Sequence, residues 1–302
     1  MEWATFSPDG TWLLTGSGDK TARLYDPVKG CGSGAQFKKF RHPDWVRCAN
    51  FSRDGTMVCT ACDDGNPRIF DARQDGPVGE EILKFGSDSE RPALFADFSP
   101  DGALLVTAHW DRWCRIWQVA EPEQTVEPLH RFKHGNSVLC ARFSSDNLRV
   151  CTASGTPRFN GLASVYDVET SEALAEIEQE DAVTSVSFSG DQKLLCTSSK
   201  DRTAQLIDLD TQLATMVWHH PNFVRTAALS PDGRYVCTSC DDGQARIFCT
   251  RTKAELLHFG HVDQVTCASF NFDGTQICTA SQDGAVRVYG PVPQEKPAGK
   301  PS

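Results

Sequence analysis

Two Cys-x-x-Cys pairs, Cys59/Cys62 and Cys237/Cys240, have a spacing that binds zinc or cycles as a dithiol. Eight histidines, with serines and aspartates in every region, supply the residue types of metal ligation and of Ser-His-Asp nucleophilic chemistry. Their positions argue against both chemistries. Cys59, Cys151, Cys196, Cys237 and Cys278 each precede a threonine, and Cys48, Cys140 and Cys267 each stand three residues before a phenylalanine. His42, His134, His220 and His261 each stand four residues before a valine. A position that recurs in this way is a packing slot, whereas a site needs residues that occur once and converge. In a strand, residues three apart face opposite sides, so one metal ion could not take both sulfurs of either pair. No phosphate-cradling Gly-rich loop or Walker-type lysine occurs. The expectation is no catalytic group, no metal and no cofactor.

The elements that carry these residues are copies of one unit. Phe6-Ser7-Pro8-Asp9-Gly10 returns as Phe51-Ser52-Arg53-Asp54-Gly55 and as Phe98-Ser99-Pro100-Asp101-Gly102. Weaker copies begin at Phe143, Phe188, Leu229 and Phe270, so the step is 41 to 47 residues. Before each anchor comes a short alternating run such as Val265-Thr266-Cys267-Ala268-Ser269-Phe270, which is a strand signal. The Pro-Asp-Gly corner is turn chemistry, with Gly accepting a positive φ. A second strand holds the repeat threonine (Thr15, Thr60, Thr107, Thr152, Thr197, Thr238, Thr279), and an aspartate turn follows it. A third strand ends in a large side chain (Tyr25, Phe70, Trp117, Tyr166, Ile207, Phe248, Tyr289), and the variable linker after it holds a fourth candidate strand.

The 302 residues carry a formal charge of −10, which argues against general affinity for nucleic-acid phosphates. No stretch is apolar enough to span a bilayer, and Met1 to Phe6 show no signal-peptide pattern, so no membrane insertion and no secretion are expected. Thirteen cysteines, an odd number in packing slots, fit a reducing compartment, cytoplasmic or nuclear.

Four short strands per 40–45 residues, a Gly-His-like dipeptide and an aromatic-Asp ending are the marks of a WD repeat. The sequence resembles the WD-repeat (WD40) β-propeller family over residues 1–290, and the resemblance implies an all-β, seven-bladed ring of stacked units. Residues 291–302, with four prolines from Pro291 on, read as a disordered Pro-rich tail. The resemblance also implies a buried tetrad of loop His, strand hydroxyl, turn Asp and third-strand aromatic. Blade seven offers the nearest set, His261, Ser281, Asp283 and Tyr289. In blades two and six cysteine (Cys62, Cys240) takes the middle place, leaving His42 with Asp64 and His220 with Asp242 as pairs. Met1 aligns with the start of an inner strand, so the last blade is expected to have three strands and an open outer edge at residues 285–289. The reading leaves two causes open, a chain that starts at a repeat boundary or a naturally open blade. The third-strand arginines (Arg23, Arg68, Arg115, Arg246, Arg287) recur, so each is expected to hold a neighbouring carboxylate for structure.

Non-repeating residues gather in loops that leave one end of every blade. The position before the turn Asp holds Asp63, Trp110, Lys200, Asp241 and Gln282, with Arg158 and Phe159 in the blade-four insertion. Trp45, Trp113 and Phe223 lie close by in sequence. Trp, Phe and Arg are the types enriched at interaction hot spots. The expected function is therefore a non-catalytic scaffold that takes proteins or peptide segments on this face, within a multiprotein complex. An alternative rests on Phe70-Asp71-Ala72-Arg73, where Asp71 and Arg73 resemble the aromatic-Asp-x-Arg ending of substrate receptors of cullin-RING ubiquitin ligases. A further alternative is an enzyme that uses the central channel.

Overall fold

The computed structural model describes residues 1–27, 36–73, 79–86, 90–119, 127–156 and 160–291. Arg158, Phe159 and the tail beyond Pro291 lie outside the described residues. The chain folds into seven antiparallel sheets, six of four strands and a last one of three, as the repeat pattern predicts. The innermost strands are β1 (Trp3–Phe6), β5 (Val46–Phe51), β9 (Ala93–Phe98), β13 (Val138–Phe143), β17 (Val183–Phe188), β21 (Val224–Leu229) and β25 (Val265–Phe270). Each packs beside the next, and β25 packs beside β1, so the ring closes. At that closure Thr266 Oγ1 donates to the Met1 carbonyl at 3.1 Å, and Cys267 Sγ lies 3.4 Å from the Ala4 carbonyl. Blade seven consists of β25, β26 (Ile277–Ser281) and β27 (Val286–Tyr289), and among the described residues no strand lies outside β27.

The repeat grammar has a local cause. In blades one to six the serine after the anchor accepts the backbone N–H five residues on, from Trp12, Met57, Leu104, Arg149, Leu194 and Tyr235. The same hydroxyl donates to the turn aspartate two residues later, as Ser99 does to Asp101 at 2.6 Å. In blade seven Asn271 replaces the serine and accepts from Gln276 N. Each turn thereby satisfies polar groups that the hairpin would otherwise leave unpaired.

Alternating strand residues enter the spaces between blades, where the cysteines lie. All twelve described cysteines are free and buried. Burial pushes the thiols of Cys59 and Cys237 well above the usual range and those of Cys62 and Cys240 up to about 11, so these sulfurs stay protonated and inert. The fold also explains one glycine of the blade-four insertion. A Cβ on Gly161 would stand 2.2 Å from the Asp181 carbonyl oxygen and 2.5 Å from Val183 N, so only glycine lets blade four meet the next loop.

Candidate functional site

The histidine slot is structural, with a change of partner. His42 Nε2 lies 2.8 Å from Thr60 Oγ1, His220 Nε2 2.9 Å from Thr238 Oγ1, and His261 Nε2 2.8 Å from Thr279 Oγ1. In blade five Gln179 takes the slot and donates to Thr197 Oγ1 at 2.7 Å. Ser281 therefore does not supply the tetrad hydroxyl; Thr279, two residues earlier on the same strand face, does. Ser281 Oγ instead donates to the Asp263 carbonyl at 3.2 Å. Cys62 and Cys240 occupy the equivalent place and lie 3.4 Å from the Asp44 and Asn222 carbonyls.

The expected His42–Asp64 and His220–Asp242 pairs are also replaced. Asp64 takes two bonds from Arg68, and Asp242 takes two from Arg246 at 3.2 and 2.6 Å. The arginine column holds its carboxylates in blade three too, where Arg115 meets Asp111 at 3.1 and 2.6 Å. Burial opposes the ionised form of Asp64, but Arg68 and local N–H groups hold its pKa down at about 2. Tyr289 serves by ring stacking, its centroid 4.1 Å from that of Phe259. The fullest hydroxyl network lies in blade three, where Thr107 Oγ1 accepts from Trp117 Nε1 at 2.8 Å and lies 2.9 Å from His109 Nε2.

What remains for binding stands at one mouth of the central channel, in a cavity of about 370 Å³. Two rings of side chains form it. The outer ring is the position before the turn aspartate, held by a recurring backbone bond. Asp63 N donates to the Trp45 carbonyl, Trp110 N to Pro92, Lys200 N to Ala182, Asp241 N to Phe223 and Gln282 N to Gln264. The inner ring comes from a bulge that interrupts the pairing of each inner strand from β5 on and leaves one residue out of register. Those residues, Arg47, Leu94, Leu139, Thr184, Arg225 and Thr266, all line the cavity. Regular period-two alternation hides them; the sequence signal was one residue too many between the first valine and the anchor.

Arg47, Leu94, Thr184, Arg225 and Thr266 each stand sixteen positions before an outer-ring residue, so their chemistry can be compared blade by blade. In blade two Arg47 grips Asp63 at 2.8 and 2.6 Å; in blade six Arg225 grips Asp241 at 2.6 and 2.8 Å. In blade five the partner of Lys200 is Thr184, whose hydroxyl donates to the Val224 carbonyl at 2.6 Å and cannot neutralise an ammonium. Lys200 is half-buried, makes no ion pair within 4 Å among the described residues, and has its pKa lowered by burial and by Arg225. Across the cavity Trp45 is 44% exposed and Trp110 49%, with Pro92, Leu94 and Leu139 between blades two and four. Trp45 lies over Gly18, where a Cβ would come within 3.3 Å of the ring, and the Arg47 guanidinium stands 4.9 Å from its centroid.

Trp45, Asp63, Trp110, Lys200 and Gln282 thus share one cavity, and Asp241 joins it through Arg225. Phe223 is half-buried and contributes its carbonyl to the outer ring. Trp113 stands apart on β11 (Trp113–Gln118), its ring 5.7 Å from Lys133 Nζ on the outer strand of blade three. Asp71 is buried under Arg73, which grips it while 60% of the arginine side chain stays exposed. Arg73 borders a groove that also includes Trp12, Arg53 and Phe272. Among the described residues no group of three or more His, Cys, Asp or Glu could hold a metal ion, and no helix is long and apolar enough to cross a membrane.

Comparison with known proteins gives concordant results. The family described as "WD domain, G-beta repeat" matches residues 3–26, 34–71, 90–118, 172–208, 211–249 and 254–290. The blade with the insertion is left unmatched. A periodic tryptophan protein 2 homolog of Neurospora crassa is 32% identical over 98 residues, 32% of this chain and 10% of its own length. A poly(A)+ RNA export protein of Schizosaccharomyces pombe is 30% identical over 124 residues, 39% of this chain and 34% of its own length. Periodic tryptophan protein 2 of Saccharomyces cerevisiae is 25% identical over 112 residues, 37% of this chain and 11% of its own length. The matches thus span at most about a third of these relatives.

Proposed function

The chain belongs to the WD-domain, G-beta repeat family, and from that premise we propose that it is a non-catalytic scaffold that docks a protein segment at the Trp45–Trp110–Lys200 mouth. The segment this mouth fits pairs an acidic residue with a bulky apolar one. One observation carries the reading: two exposed tryptophans and one unpaired ammonium face the same cavity. Exposed indole rings gain most by being covered, and a half-buried Lys200 gains by meeting a carboxylate. The arginines of the mouth already hold aspartates, which leaves Lys200 as the anchor. The buried free cysteines favour a reducing, intracellular setting. The charge of −10 favours a protein partner over direct contact with nucleic-acid phosphates, including in an RNA-handling assembly of the kind one relative's name indicates.

Selection of a displayed random peptide library on the wild-type chain tests this. Enriched peptides are expected to carry Asp or Glu beside a large apolar residue. Trp45→Ala and Trp110→Ala are each expected to weaken the selected peptide by about 30-fold, or about 2 kcal/mol, with unchanged unfolding midpoints. Equal binding to wild type and to the Trp45→Ala/Trp110→Ala/Lys200→Met variant, or no enrichment at all, would overturn the proposal.

A further inference from the structure

A second cavity, of about 380 Å³, opens toward the opposite face within the ring of inner strands. Most of its polar lining comes from one repeat position, the residue before each anchor, and Ser7 and Asn271 add to it from just after their anchors. Before the anchors, Thr5, Asn50, Asp97, Arg142 and Ser269 replace one another from blade to blade. Among the described residues its only deep charges are Asp97 and Arg142, on the adjacent strands β9 and β13, and Arg53 lies at the solvated rim.

The pair differs from the Arg–Asp pairs of the third-strand column and of the mouth, which are hydrogen-bonded. Arg142 NH1 lies 3.6 Å from Asp97 Oδ2, beyond hydrogen-bond length, and the guanidinium donates to no oxygen among the described residues. Its place is nonetheless fixed, because it lies over the Phe95 ring at 5.1 Å, a cation–π contact that orients the fork. A fixed guanidinium with unfilled donors matches a planar carboxylate. The adjacent Asp97 disfavours a dianion such as phosphate and offers an acceptor to a cation on the ligand. One charge of each sign, each partly buried in the cavity wall, is balanced by a ligand that also carries one of each. Phe6, Phe51, Leu229, Phe270 and Phe272 supply apolar wall, and the volume suits a small molecule.

We propose that this cavity binds a small α-amino acid with an apolar side chain, its carboxylate on Arg142 and its ammonium on Asp97. The site opens on the other face from the tryptophan-lined mouth, with Trp3 lining both cavities, and neither reading depends on the other.

Isothermal titration of the full chain with leucine, methionine and phenylalanine tests the proposal, with acetate, methylammonium and phosphate as partial ligands. At least one amino acid is expected to bind saturably below about 10 mM while the partial ligands do not. Asp97→Asn and Arg142→Gln are each expected to weaken binding at least about tenfold. Either change alone leaves one charge unpaired, so the Asp97→Asn/Arg142→Gln double variant supplies the neutral, folded control. It is expected to unfold like the wild type and to bind none of the three. Absence of binding by all three amino acids, acetate binding as well as they do, or undiminished binding by the double variant would overturn the assignment.

Discussion

The folded chain is expected to lose several kcal/mol of stability between pH 7.5 and pH 5, before most carboxylates titrate. His42, His134 and His220 are buried, and burial lowers the pKa of each to about 4; Arg68 and Arg246 add to this for His42 and His220. His109 is buried and lowered in the same sense. In the unfolded chain each imidazole titrates near 6.5. The unfolded state therefore binds more protons as pH falls below that value. The stability these groups contribute is full above about pH 6.5 and drains away as pH falls toward 4.

At pH 5 the loss is roughly 1–2 kcal/mol per histidine, against a total stability of about 5–15 kcal/mol. Asp97 works against this, because burial raises its pKa to about 6 and the folded state takes up that proton first. One carboxyl does not offset four imidazoles. Urea unfolding at the two pH values measures the effect. Replacing His42 and His220 by Gln, the residue that already bonds Thr197 from this slot in blade five, is expected to remove a large part of it. Equal stability at pH 7.5 and pH 5 would show that these rings are not held neutral.

Trp117→Ala is expected to cost about 3–5 kcal/mol. Trp117 is the sole tryptophan in its column, is fully buried, and donates its indole N–H to Thr107. Truncation opens a large cavity and takes one partner from the hydroxyl that also meets His109. Trp117→Phe keeps most of the volume and is expected to cost about 1–2 kcal/mol, mainly the lost hydrogen bond. Phe70 and Phe248 fill the same place in blades two and six, tilted against Phe40 and Trp218, which shows that the column accepts phenylalanine. Urea midpoints of the two variants separate packing from hydrogen bonding. Near-equal losses would mean that the hydrogen bond, rather than volume, dominates.

The ring was legible in the sequence because its causes are local and repeated. Ser-x-Asp turns in six blades, a strand threonine in all seven and a third-strand arginine in five repeat the same local solutions, so the pattern outlives individual substitutions. The mouth was half legible. Asp63, Trp110, Lys200, Asp241 and Gln282 could be found because they vary at a fixed place in the repeat. Arg47 and Arg225 could not, because a bulge turns them toward the channel where plain alternation points them elsewhere. Without them Asp63 and Asp241 read as free acidic groups, whereas both are held. The tetrad hydroxyl was misplaced for a related reason: Thr279 and Ser281 share one strand face, and only the reach of the His261 ring decides between them.

Hydrogen–deuterium exchange on the chain with and without its selected peptide tests the docking surface most directly. Protection is expected in the segments around Trp45, Asp63, Trp110 and Lys200, with the turns at Asp9, Asp54 and Asp232 on the other face unchanged. Protection confined to that opposite face, or to the outer edge at Val286–Tyr289, would contradict the account.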